Sequence, residues 1–199
     1  MKKNCKKYPQ VSLFGLLMLI TANLTIAAVS PDGDYEKNDR YKFENKNIKF
    51  GLYPRTPEQM AAFYEGRGFQ DKAINKIAQT CFITVGMRNL SGQKIWLDLK
   101  DWKFYSSHGN IERIDRYKWQ EIWKQLDVPL ANQSTFTWTL LPEARDLHPD
   151  EPVGGNLIFV PVDIPFTIEA NFKTGEDKNG KPLQVKMENV KCDKNKSSP

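Results

Sequence analysis

The chain predicts a mainly β fold: an antiparallel β-sandwich of two packed sheets with helical insertions, for which an α+β layer fold is the alternative. Three observations carry this expectation. About seven short segments alternate apolar and polar residues with a period of two, the mark of strands that bury one face. Gly, Pro, Asn and Asp clusters punctuate them at short intervals. Aromatic residues make up 12% of the chain, enough to fill the core of one ordinary domain.

The domain is expected over residues 46–192. Its first strand is NIKFGLY, where Ile48, Phe50 and Leu52 alternate with Lys49 and Gly51. Pro54 closes it, and a helical insertion at 56–79 follows. Thr56 suits an N-cap, Pro57 the first helical position and Gln59 a capping box. Met60, Phe63 and Tyr64 share a face, and Gly66 and Gly68 stop the helix. QDKAINKIAQT predicts a second helix with Ile74, Ile77 and Ala78 inward. The strand period returns in CFITVGMRNL, with Cys81, Ile83, Val85 and Met87 on one face. After the turn NLSGQK, Ile95, Leu97 and Leu99 share a face until Asp101, where Trp102 and Phe104 shift the alternation and predict a bulge or strand switch. SSHGN is a turn. Residues 111–126 predict the second insertion, with Trp119, Ile122, Trp123 and Leu126 at i, i+3, i+4 and i+7. STFTWTLL, alternating Phe136, Trp138 and Leu140 with threonines, predicts a strand. PEARDLHPDEPVGG reads as a long solvated crossing to three last strands, NLIFVPV, IPFTIEANF and LQVKMENVKC. Asn179-Gly180 marks a hairpin between the last two. Both insertions are expected to cap the sandwich ends, and residues 193–199 form a polar tail.

The N-terminus supplies an address. Lys2, Lys3, Lys6 and Lys7 precede the run VSLFGLLMLITANLTIAA, and small residues close it, so residues 1–28 read as a secretory signal peptide. The apolar stretch is short for a membrane span, and Asn23 and Thr25 weaken it further. Cys5 precedes that run, which is the wrong side for a lipidated cysteine. Residues 29–45 form a polar leader. The whole chain is +5, but residues 1–28 hold four lysines and no acid, leaving 25 basic against 24 acidic residues. The basicity is a targeting feature, and it gives no ground for a nucleic acid partner. Stable membrane insertion is not expected after cleavage. Beyond the signal only Cys81 and Cys192 remain, and an exported pair predicts a disulfide.

Two stretches, ITVGMRNLSGQKIWLDLKDWKFYSSHG and GGNLIFVPVDIPFTIEANF, resemble extracytoplasmic immunoglobulin-like domains of bacteria, the telokin-like type. The first has a strand ending in Asn and a small-residue turn, then a strand reaching a Gly turn. The second has a Gly-led apolar strand followed by a Pro-containing link. The resemblance covers about half the domain, residues 81–110 and 154–192. It implies an immunoglobulin-like fold and a binding or accessory role at the cell envelope. It carries no catalytic residue across.

Catalytic and metal motifs are sparse. His108 and His148 are the two histidines, and no HxxH or HExxH spacing occurs. If both met at one end of the sandwich, they would form with Asp150 a weak Cu or Zn site, which is the alternative reading of function. Met60, Met87 and Met187 are scattered and read as core. Glu143 with Asp150 or Glu151 pairs carboxylates as a glycosidase would, but on a Pro-rich loop with no means of burial. The better candidates for partner binding are Trp96 and Trp102, with Arg145, Asp146, His148 and Asp150 of the charged crossing. Trp96 lies opposite the Ile95–Leu97–Leu99 face, where it is exposed unless Trp119 and Trp123 cover it. The expectation is an exported, periplasmic or secreted, non-enzymatic accessory protein, without cofactor, that binds another envelope protein.

Overall fold

The computed structural model describes residues 41–194. The expected signal peptide at 1–28, most of the leader and most of the tail lie outside the described residues. The leader's end does not stay apart from the domain, because Lys42–Glu44 form strand β1 on the edge of the first sheet.

That sheet, sheet A, has the order β1, β2 (Ile48–Arg55), β3 (Cys81–Asn89) and β8 (Pro152–Phe159), every pair antiparallel. Sheet B is built on β9 (Phe166–Thr174). On one side of it lies β10 (Leu183–Val190). On the other, β4 (Ile95–Asp98) and β5 (Lys103–Ser106) follow each other along β9. Between them a single 3-10 turn, Leu99–Asp101, interrupts what is otherwise one strand, so the break in alternation at Asp101 is real. The short strands β6 (Gly109–Asn110) and β7 (Ala144–Leu147) extend the sheet beyond β5 and β4.

The two sheets pack face to face through alternate residues. Phe50, Leu52, Ile83, Val85 and Leu157 of sheet A meet Leu97, Ile168, Ala170, Phe172 and Val185 of sheet B in one core. The disulfide Cys81–Cys192 joins the first residue of β3 to the segment beyond β10, stapling one sheet to the other.

The helices do not cap the ends of this sandwich. They lie on the outer face of sheet A, where Phe82 of β3 and Ile158 of β8 point away from the main core. Helices α1 (Pro57–Glu65), α2 (Asp71–Ala78), α3 (Arg116–Gln125) and α4 (Leu130–Thr139) close over those two residues. Met60, Tyr64, Ile77, Trp119, Trp123 and Phe136 make this second core, with Trp119 and Trp123 stacked at 4.6 Å. The capping box at Thr56 forms as its sequence requires: Gln59 N–H donates to Thr56 Oγ1 and Thr56 N–H to Gln59 Oε1, each at 3.1 Å.

Two segments differ from the sequence expectation. STFTWTLL, expected as a strand, lies mostly in α4, with Phe136 buried and Trp138 88% exposed. PEARDLHPDEPVGG, expected as a long crossing, is β7, a tight turn and the start of β8, and its Gly154-Gly155 pair lies inside the strand.

Candidate functional site

The charged segment that the sequence singles out is bound up in itself. At the β7–β8 turn, Glu151 N–H donates to the His148 carbonyl at 3.0 Å, and the Glu151 carboxylate accepts the His148 backbone N–H at 2.9 Å. That backbone bond is the main reason the Glu151 carboxyl sits below its usual range, with Arg145 assisting. Arg145 pairs with Glu151, Arg88 with Asp150 at 3.1 Å, and Lys94 with both Asp146 at 3.5 Å and Glu176 at 2.9 Å. Glu143 is held by Arg113 through two hydrogen bonds of 2.9 and 2.6 Å. The exposed pairs among these, Arg88–Asp150 and Arg145–Glu151, fix the turn and add little stability. Neither Glu143 nor Glu151 is a free carboxylate for acid–base work.

The two histidines do not meet. His148 follows Leu147, which pairs with Ile95 at the start of β4, whereas His108 sits in the turn after β5. The whole interrupted β4–β5 strand separates them, so His108, His148 and Asp150 cannot share a metal ion. Among the described residues no group of three or more His, Cys, Asp or Glu side chains is placed to hold one.

The tryptophans also sort differently from expectation. Trp102 is buried between Phe50 and Phe172, with ring centroids 5.8 and 5.6 Å away, and is unavailable to a partner. Trp96 is half-buried, but Trp119 and Trp123 do not cover it, because they belong to the core on the other sheet. Its indole N–H donates to the Gly175 carbonyl at 2.8 Å, and Lys94 and Lys178 lie over its ring. The exposed one is Trp138.

Trp138 stands at the rim of a cleft of about 630 Å³ on the outer face of sheet A, in the gap that the helices leave open. Strand register builds its floor. Tyr53, Thr84 and Asn156 are cross-strand partners in one row, and Gly51, Gly86 and Gly154 are partners in the next row on the same face. The Tyr53 ring folds over Gly51, where an added Cβ would lie 2.6 Å from its hydroxyl. Above Gly86 there is room for a methyl group, since an added Cβ would meet the Tyr53 ring at an ordinary contact distance of 3.8 Å. Helix α1 supplies one wall with Gln59, Met60 and Phe63, and α4 the other with Trp138 and Thr139.

A chain of polar contacts fixes this floor. Arg55 Nε donates to Thr84 Oγ1 at 3.0 Å, and Thr84 Oγ1 donates to Asn156 Oδ1 at 2.8 Å. Tyr64 joins it from below through Asn156, and its hydroxyl lies 2.6 Å from Thr139 Oγ1. Burial pushes the Tyr64 hydroxyl up to about 12, so it is a neutral hydrogen-bonding group at ordinary pH. Three strands and two helices are thus tied together directly beneath the cleft. Among the described residues no carboxylate lines it. The arrangement can hold a ligand by shape, stacking and hydrogen bonds from amides, hydroxyls and the Arg55 guanidinium. It offers no nucleophile with an adjacent base.

The sequence gives little warning of this site. Its glycines lie on three strands and become neighbours only through register, and Trp138 is hidden in a stretch that imitates a strand. The one local signal is a glycine at a polar-face position in two strand patterns, NIKFGLY and CFITVGMRNL, whereas Gly154 falls in the expected crossing.

No family model matches the chain, and no curated protein matches it. Among solved structures, the ycdA protein of Bacillus subtilis, named as a candidate lipoprotein, aligns at TM-score 0.37 and 13% identity, over 76% of this chain and 39% of that one. The yjhA protein of Bacillus subtilis aligns at TM-score 0.36 and 11% identity, over 65% of this chain and 76% of that one. The chain therefore spans about two fifths of the length of the first.

Proposed function

We propose that the protein is an exported binding protein of the bacterial cell envelope and that the cleft under Trp138 is where it binds. The observation that carries this is Gly86. A central-strand glycine destabilises a sheet by roughly 0.5–1 kcal/mol relative to alanine. Backbone strain does not require glycine here, and an added Cβ would find ordinary contact distance. A side chain missing from a sheet face where the fold has room for one leaves space for close approach by another molecule. Around that space stand a rim indole 88% exposed and a floor already ordered by hydrogen bonds. The volume falls within the roughly 300–1,000 Å³ usual for ligand sites. Export is supported by the signal-like N-terminus and by the disulfide.

The test is hydrogen exchange of the full chain with and without an envelope extract of the producing cell. Saturable protection is expected at the amides of residues 84–86 and 154–156, and it should vanish in Gly86→Leu, whose side chain fills the floor. Protection elsewhere only, or protection that Gly86→Leu leaves intact, would remove the cleft as the binding site.

A further inference from the structure

We infer that the ligand of the cleft is a saccharide, a hexopyranose ring or chain of rings stacked on Trp138. The inference rests on the binding reading above and names the ligand class for the same site. A pyranose ring presents an apolar C–H face and a rim of neutral hydroxyls. The cleft presents the complementary pair. One wall carries the Trp138 indole, 88% exposed. The opposite wall and the floor carry the amides of Gln59 and Asn156, the hydroxyl of Thr84 and the guanidinium of Arg55, all groups that hydrogen-bond sugar hydroxyls. Between them the missing side chain at Gly86, with the Tyr53 ring 3.8 Å from where a Cβ would stand, lets a sugar ring lie close to the sheet.

Other ligand classes fit these observations less well. An extended peptide adds to a sheet by pairing with a free edge, whereas β3 at the centre of the floor is paired on both sides, and the outer edge of β8 is taken at Asn156 by Leu141 N–H and at Ile158 by Ile114 N–H. An acyl chain needs a continuous apolar lining, and this floor is crossed by the Arg55–Thr84–Asn156 hydrogen-bond row. A divalent cation needs carboxylate oxygens or imidazole nitrogens, and among the described residues neither residue type lines the cleft. The same lack of carboxylates means that a bound glycan would be held and not hydrolysed.

The experiment titrates the full chain with cellotetraose, maltotetraose and chitotetraose, with the methyl glycoside of each single sugar, and with an alanine tetrapeptide as the peptide arm. Trp138 emission is separated from that of the other four tryptophans by difference against Trp138→Phe. At least one tetrasaccharide is expected to give a saturable blue shift of Trp138 emission. By calorimetry, Trp138→Phe should retain binding within several-fold, and Trp138→Ala should weaken it at least tenfold. Gly86→Leu should abolish it, while Tyr117→Ala, an exposed aromatic of α3 outside this cleft, should leave it unchanged. A response to methyl glycoside alone would still support the class, with one ring as the unit recognised. Three results overturn it: binding of the tetrapeptide in place of any sugar, sugar binding that survives Gly86→Leu, or no sugar binding while envelope extract still protects residues 84–86 from exchange. In the last case only the ligand class falls. If the extract gives no protection either, the binding reading falls with it.

Discussion

At the level of single residues, Tyr64 does more than its place on an apolar helix face implies. The i, i+3, i+4 spacing with Met60 identifies it as buried, and it is. The spacing cannot show that its hydroxyl ends a polar row running through Asn156 and Thr84 to Arg55, because those partners come from β8, β3 and β2. Burial raises the folded-state pKa of Tyr64 to about 12 from the ordinary tyrosine value of 10.0. Below the unfolded value both states are protonated, and the group's contribution to stability is complete. Between that value and about 12 the unfolded chain releases the proton and the folded chain keeps it. Stability therefore falls as pH rises through this window, by an amount on the order of 2–3 kcal/mol when the fall is complete. Tyr64→Phe is expected to cost about 1 kcal/mol at pH 7 from the lost hydrogen bond and to flatten this alkaline fall. Urea denaturation of both proteins from neutral pH into the alkaline window measures it. Parallel stability curves would show that Tyr64 titrates as it does in the unfolded chain.

Among the elements, α1 and α4 show what local sequence can and cannot specify. The start of α1 is written in four residues, Thr56 to Gln59, and the capping box they form is independent of anything distant. Helix α4 has no such signal. Its N-cap is Pro129, without a side-chain hydrogen bond, and Thr135, Thr137 and Thr139 are β-branched residues that favour strands. What holds it helical is long-range packing. Phe136 lies 4.6 Å from Trp119, 4.8 Å from Trp123 and 5.2 Å from Tyr64, ring centroid to centroid. Two of the threonine hydroxyls donate back into the helix, to the Ala131 and Phe136 carbonyls. The period-two pattern of Phe136, Trp138 and Leu140 competes in the sequence with a helical one, Gln133, Phe136 and Leu140. The aromatic core decides for the second. Phe136→Ala is accordingly expected to destabilise the protein by about 3–5 kcal/mol, as removal of a fully packed ring does. Thermal melts read the loss, and far-UV circular dichroism should show helix content falling before the sheets unfold. A cost below 1 kcal/mol would mean that α4 is held by something other than this cluster.

For the molecule as a whole, the sandwich was legible where pairing is local in the alternation, and the cleft was not, because Gly51, Gly86 and Gly154 are strangers in sequence. The disulfide bridges the two cases. Two cysteines in an export context suffice to expect it, yet its effect is global, since it ties the central region of sheet A to the outer side of sheet B. Among the described residues, strand β10 lies at the edge of sheet B and pairs only with β9. Without Cys192 its far end would be fixed by the Val190–Phe166 pairing and by Tyr41, whose hydroxyl donates to the Asn189 carbonyl at 3.0 Å. The cross-link closes a loop over a separation of 111 residues. In the chain-entropy account a loop near that size stabilises by up to about 4.7 kcal/mol, with about 2–4 kcal/mol typical of measured bridges. The double variant Cys81→Ser with Cys192→Ser is therefore expected to lose about 2–4 kcal/mol. Its m-value in urea should rise, because the unfolded chain, freed of the link, exposes more surface. Those two changes together place the effect in the unfolded state. A loss of stability with an unchanged m-value would place it instead in the docking of β10 on the folded sandwich, and no loss at all would show that the two apolar cores hold the sheets together unaided.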